Sequence, residues 1–97
     1  MTGTTISSDG LDVRRKRLLY RSWHRGTREM DLIVGRFADA NLATLPDSEL
    51  EEFERLIDVP DPDLYASLTG ARPLPEFEGG AVYIKLKAFH DSGKAVP

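Results

Sequence analysis

The sequence holds no cysteine. That excludes a disulfide scaffold, a thiolate zinc site, an iron–sulfur cluster and a cysteine nucleophile. Histidine is nearly as scarce: His24 and His90 are the only two, far apart and without metal-ligand spacing. They read as surface or helix-end side chains, and no metal is expected. No run approaches the ~20 apolar residues needed to span a bilayer. The opening MTGTTISSDGLD carries two Asp and no Lys or Arg, so it fits neither a secretory signal nor a transit peptide. It reads as a polar, mobile tail over residues 1–12. No phosphate-binding glycine loop, zincin motif or nucleophile elbow occurs. His24 and Glu29 form a conceivable acid–base pair, but nothing in the sequence supplies a pocket or a third group for it.

What remains is a short chain able to build one core. Its 97 residues suffice for one domain and not for two ordinary ones. A 40% hydrophobic fraction argues against disorder. The net charge of −3 hides an asymmetry. Residues 11–37 carry eight basic side chains (Arg14, Arg15, Lys16, Arg17, Arg21, Arg25, Arg28, Arg36) against three acids, whereas residues 38–64 carry nine acids against Arg55 alone. The two halves can attract each other in the fold, and each can steer a partner of opposite sign.

Periodicity predicts an all-α fold, with a single helical domain over residues 13–91 and a frayed end over 92–97. A first helix spans 13–24, turning Leu18, Leu19 and Trp23 inward and lining Arg14, Arg17, Arg21 and Arg25 along an outer face. Gly26 ends it. Thr27 caps a second helix, with Glu29 and Asp31 in its first turn and Met30, Ile33, Val34, Phe37 and Ala38 as its buried stripe. Gly35 inside that stripe would be explained by a close helix crossing. A third helix over 47–58 buries Leu50, Phe53, Leu56 and Ile57, with Ser48 and Glu51 as a capping box, for which Asp47 competes. Asp61 followed by Pro62 starts a fourth helix over 62–69, carrying Leu64, Tyr65 and Leu68. Residues 71–80 read as a linker. Segment 81–91 fits either an alternating strand (Val82, Ile84, Leu86) or a helix (Val82, Leu86, Phe89). A lone strand has nothing obvious to pair with, which favours helix.

The unusual feature is the turn from His24 to Asp31. A tight connection brings Arg25 close to Glu29 and Asp31, where its fork can bind either carboxylate. One reading is a local capping ion pair, worth ~0–1 kcal/mol if exposed. The other is a preset charged patch that docks into a cleft on another protein.

The stretch RRKRLLYRSWHRGTREMDLIVGRFADANL, residues 14–42, resembles the FAD assembly factors of succinate dehydrogenase, the small flavinator family. The family's R-G-x-x-E-x-D signature stands here as Arg25, Gly26, Glu29 and Asp31. ELEEFERLIDVPDPDLYASLTG at 49–70 and AVYIKLKAFH at 81–90 follow at family spacing. Two departures are Ser67, where many members carry Trp, and Pro46, where a Ser or Thr cap is usual.

The resemblance implies a compact bundle of about five short helices. It implies an assembly factor, not an enzyme, that binds the flavoprotein subunit of succinate dehydrogenase, with fumarate reductase as a second client in some bacteria. It also implies assistance to a self-catalysed attachment of FAD to a histidine of that subunit. The protein would then need no cofactor of its own, acting on FAD held by the partner. His24, Arg25, Gly26, Glu29 and Asp31 would form the partner-binding corner. Glu29 would pair with a cation of the partner, Arg25 would orient Glu29 and contact partner carboxylates, Gly26 would permit close backbone approach, and Asp31 would support the turn. A monomer in the bacterial cytoplasm is expected, with no membrane and no nucleic acid as partner. The alternatives are an antitoxin-like helical regulator using the same surface, and a nucleic-acid binder using the basic run Arg14–Arg17.

Overall fold

The computed structural model describes residues 10–93, which among themselves form six α-helices and no strand. These are α1 (Val13–Trp23), α2 (Arg28–Asn41), α3 (Asp47–Ile57), α4 (Asp61–Leu68), α5 (Pro75–Glu78) and α6 (Ala81–Asp91), with a 3-10 turn, Leu42–Thr44, after α2. Leu11 packs against the core and Asp12 caps α1, so these two residues of the expected tail belong to the folded part. Of that tail, Gly10 is an exposed turn residue and residues 1–9 lie outside the described residues, as do 94–97 of the expected frayed end.

Local chemistry starts the first two helices. An Asp12 carboxylate oxygen accepts the Arg15 backbone N–H at 2.8 Å, and Thr27 Oγ1 accepts that of Met30 at 3.2 Å. The next two starts differ from expectation. No side chain caps α3: Pro46 precedes it, the capping box does not form, and Glu51 instead lies 3.5 Å from Arg55. Helix α4 begins at Asp61, one residue earlier than predicted, and Asp61 does not cap it because its carboxylate is engaged elsewhere. The expected linker 71–80 holds the short α5, with Leu74 and Phe77 packed on the core.

Helix α6 settles the ambiguity at 81–91. Val82, Tyr83 and Leu86 are buried while Ile84 is 55% exposed, which separates the residues a strand would have grouped. Its N-terminus has no local cap. Glu52 of α3 supplies one from across the bundle, its Oε2 accepting the N–H groups of Val82 and Tyr83, each at 3.1 Å. Inside the bundle, Phe37 meets Phe53 and Phe89 edge-on, with centroids 5.7 and 5.8 Å apart.

Helices α1 and α2 cross at Gly35. A Cβ there would lie 2.4–2.7 Å from the Trp23 ring, so only glycine lets the indole seat. Trp23 Nε1 then donates to Asp39 Oδ1 at 3.2 Å.

The basic and acidic halves do meet. Arg14 pairs with Glu54 at 2.6 Å, Arg21 with Asp58 at 2.5 Å and Arg25 with Asp61 at 2.7 Å, a ladder running along α1 against the end of α3 and the start of α4. The Arg14–Glu54 and Arg21–Asp58 pairs are solvated, and each makes only a small contribution to stability. The Arg14 side-chain hydrogen bonds hold the Glu54 carboxyl below its ordinary value of 4.5. That contribution is present at neutral pH and is lost as pH falls through the lowered value.

Gly35→Ala tests the crossing. Helix propensity alone favours Ala by about 1 kcal/mol, but overpacking against the indole costs about 1–3 kcal/mol. Urea unfolding followed by Trp23 fluorescence should show a net loss of stability; a gain would mean the crossing is loose.

Candidate protein-docking site

The corner between α1 and α2 is held by Arg25 and Asp31 and presented by five exposed neighbours. Gly26 has a φ of +127°, a region that disfavours L side chains. The Arg25 backbone N–H donates to Asp31 Oδ1 at 2.6 Å, so Asp31 closes the turn from inside α2.

The Arg25 side chain does not pair with Glu29 or Asp31, contrary to the local reading of the turn. It crosses to the α3–α4 connection. Nε donates to Asp61 Oδ1 at 2.8 Å, Nη1 to the Ile57 carbonyl at 2.6 Å and Nη2 to the Val59 carbonyl at 3.0 Å. Its side chain is 7% exposed and that of Asp61 14%. The physical reason is acceptor supply. The end of α3 leaves carbonyls without helical partners, a cation is favoured at a helix C-terminus, and Asp61 adds a carboxylate with a single sequestered location for all three contacts. An exposed glutamate offers less. Arg25 therefore has no free face with which to orient Glu29 or to meet a partner's carboxylates.

The exposed part of the corner is His24, Gly26, Thr27, Arg28 and Glu29. His24 stacks on Tyr20 with centroids 3.8 Å apart, and its Nδ1, 2.6 Å from the Tyr20 carbonyl, donates to it. The Glu29 side chain makes no hydrogen bond or ion pair with any described residue. Beside it, a shallow hollow of about 260 Å³ opens between the starts of α2 and α4, lined by Thr27, Glu29, Met30, Asp61, Pro62 and Tyr65. Tyr65 is 41% exposed. Leu64 and Leu68 take the buried face of the eight-residue α4, and Tyr65, one position on, rotates about 100° away from it.

Sequence reasoning missed Asp61 and Tyr65 as parts of this corner. Asp61 stands 36 residues from Arg25, and its only local signal, an acid before proline, pointed to a helix cap. Elsewhere, Ser67 is buried and its hydroxyl hydrogen-bonds the Tyr83 hydroxyl under a groove between α4 and α6. Among the described residues no cluster of three metal-ligating side chains occurs, and no helix is long and apolar enough to cross a membrane.

A family model described as flavinator of succinate dehydrogenase matches residues 16–90. The chain belongs to this family. It is 44% identical over 71 residues to the FAD assembly factor SdhE of Acetobacter pasteurianus, a match covering 73% of this chain and 65% of that protein. It is 40% identical over 85 residues to the mitochondrial succinate dehydrogenase assembly factor 2 of Danio rerio, covering 86% of this chain and 54% of the relative. The Caenorhabditis elegans protein of the same name is 36% identical over 100 aligned positions, with 83% of its length covered. The chain thus spans 65% and 54% of the first two relatives. No solved structure matches it.

Asp61→Ala should strand Arg25 in a nearly dry site. Removing one partner of such a pair costs about 3–5 kcal/mol. Thermal or urea unfolding should show a loss of that order, and a loss below about 1 kcal/mol, typical of an exposed pair, would place Arg25 in solvent.

Proposed function

We propose that this chain binds the flavoprotein subunit of succinate dehydrogenase and promotes covalent attachment of FAD to a histidine of that subunit, contributing no catalytic group and no cofactor of its own. Family membership supports the client and the outcome. The observation that carries the mode of action is the corner itself: an unpartnered Glu29 presented on a turn that Arg25 and Asp31 lock from behind.

Attachment joins a histidine nitrogen to the 8-methyl carbon of the isoalloxazine: a methyl proton leaves to a base of the client, the nitrogen adds to the resulting methide as negative charge develops on the ring, and the reduced flavin so formed is re-oxidised by an external electron acceptor. Orientation of two reacting groups can supply several kcal/mol of barrier reduction, ~7–11 kcal/mol at its limit. A rigid wedge that fixes the relative position of two parts of the flavoprotein can act through this term alone, and the reaction then stays within the client. Rigidity is what the locked turn provides, since a mobile corner would lose the same entropy on docking. Fumarate reductase flavoprotein, with the same cofactor chemistry, is proposed as a second client.

The basic run gives little support to a nucleic-acid reading. Arg14 is paired with Glu54, and Arg15 is spent on Asp12 and on the carbonyls of Leu42 and Leu45. Only Lys16 and Arg17 of the four remain without an ion pair among the described residues.

The test is incubation of the purified chain with apo-flavoprotein, FAD and a dicarboxylate, followed by flavin fluorescence on a denaturing gel. The wild-type chain should raise covalent flavin. Glu29→Ala and Gly26→Arg should leave the circular dichroism of a folded monomer and abolish the increase. Unchanged flavinylation by folded Glu29→Ala would remove the corner from the mechanism, and loss of helicity in either variant would assign that residue to folding.

A further inference from the structure

We infer that the hollow between the starts of α2 and α4 is a receptor for one arginine side chain of the partner, with Glu29 as its carboxylate and Tyr65 as its aromatic wall. This rests on the docking function proposed above and assigns Tyr65 a binding role.

Charge sets the sign of the occupant. Of the acids around the hollow, Asp31 accepts the Arg25 backbone N–H and Asp61 Oδ1 holds the Arg25 guanidinium, whereas Glu29 has no partner. Glu29 therefore leaves at the rim of the hollow a carboxylate with no hydrogen-bond or ion-pair partner among the described residues. The positive ends of α2 and α4 point toward the same region, but a free carboxylate already stands between them and any anion.

Shape sets the size. About 260 Å³ lies below the ~300–1,000 Å³ usual for small-molecule pockets, so the hollow suits a single long side chain, not a flavin. Met30 and Pro62 give it apolar sides along which an aliphatic stem can lie, and Tyr65 adds a half-exposed ring.

Geometry selects arginine over lysine. A planar guanidinium can stack on a ring and still present its fork to a carboxylate, which a compact ammonium cannot do equally well. Asp61 Oδ1 is used by Arg25, and Oδ2 faces the Gly26 side, 3.5 Å from where a Cβ would stand.

Two measurements on the full chain test this. In the first, the isotope-labelled protein is titrated with N-acetyl-arginine amide and, separately, N-acetyl-lysine amide, and backbone amide shifts are followed by NMR. Arginine should move the amides of Thr27, Glu29, Met30 and Tyr65, lysine should do so more weakly, and Glu29→Gln should suppress both. In the second, affinity for the apo-flavoprotein subunit is measured for wild type, Tyr65→Phe, Tyr65→Leu, Glu29→Gln and the double variant Glu29→Gln/Tyr65→Leu. Tyr65→Phe should keep wild-type affinity, and Tyr65→Leu should lose about tenfold, the range of a desolvated cation–ring contact. The double variant should lose less than the product of the single losses, because both side chains act on one cation.

Affinity of Tyr65→Leu within about twofold of wild type would overturn the proposal, as would strictly multiplicative losses. An arginine titration that leaves these four amides unmoved would overturn it as well. If the wild-type chain fails to bind the flavoprotein at all, the docking function fails, and the arginine titration alone decides the hollow.

Discussion

The structure depends on one buried guanidinium. Arg25 leaves the turn between α1 and α2 and ends among a carboxylate and two carbonyls of the α3–α4 connection. Two loops that would otherwise move independently are joined by one planar group with fixed hydrogen-bond directions. Breaking any one contact would orphan a polar group in a nearly dry place, which is far more costly than losing an exposed pair. The arrangement therefore behaves as a brace: it holds the turn's backbone still while taking no part in the surface that the turn displays.

That division explains how a signature of four residues can hold two kinds of side chain. Arg25 and Asp31 face inward and fix the corner, while Glu29 and the bare backbone of Gly26 face outward. The basic half of the chain is treated in the same way. Arg14 and Arg21 are matched by acids of α3 and the residue that follows it, and Arg15 is tied to the 3-10 turn and Leu45, so much of the positive charge is neutralised within the fold. Among the charges without an ion pair to any described residue, Lys16, Arg17, Arg28 and Glu29 lie together on α1 or in the first turn of α2, while Asp47 and Glu76 stand apart on α3 and α5. A partner approaching there meets cations along one helix and an anion at its corner, a polarity that favours one docking orientation.

Much of the fold was legible because it is periodic and local. The buried stripes of α1, α2 and α3 and the Thr27 cap follow from residues within two turns of each other, whereas the crossing that Gly35 permits became visible only with Trp23 of α1 seated on it. What was hidden came from partners far away in sequence. Glu52 caps α6 from 30 residues upstream, and Asp61 captures Arg25 across 36. No local rule ranks a distant, sequestered acceptor against a nearby exposed one, so Arg25 was assigned to Glu29 or Asp31 instead. Tyr65 shows a different limit: helix periodicity placed it on α4 without giving it a face, and with Leu64 and Leu68 filling the inner side of a short helix the adjacent ring turns outward.

A double-mutant cycle on folding stability tests the brace most directly. Arg25→Ala, Asp61→Ala and the double variant are unfolded in urea beside the wild type. An internal brace predicts that the double variant loses much less than the two single losses combined, with a coupling of about 2–3 kcal/mol, because no charge is left stranded. Additive losses with a coupling near zero would mean that the two side chains do not meet, and would contradict the account.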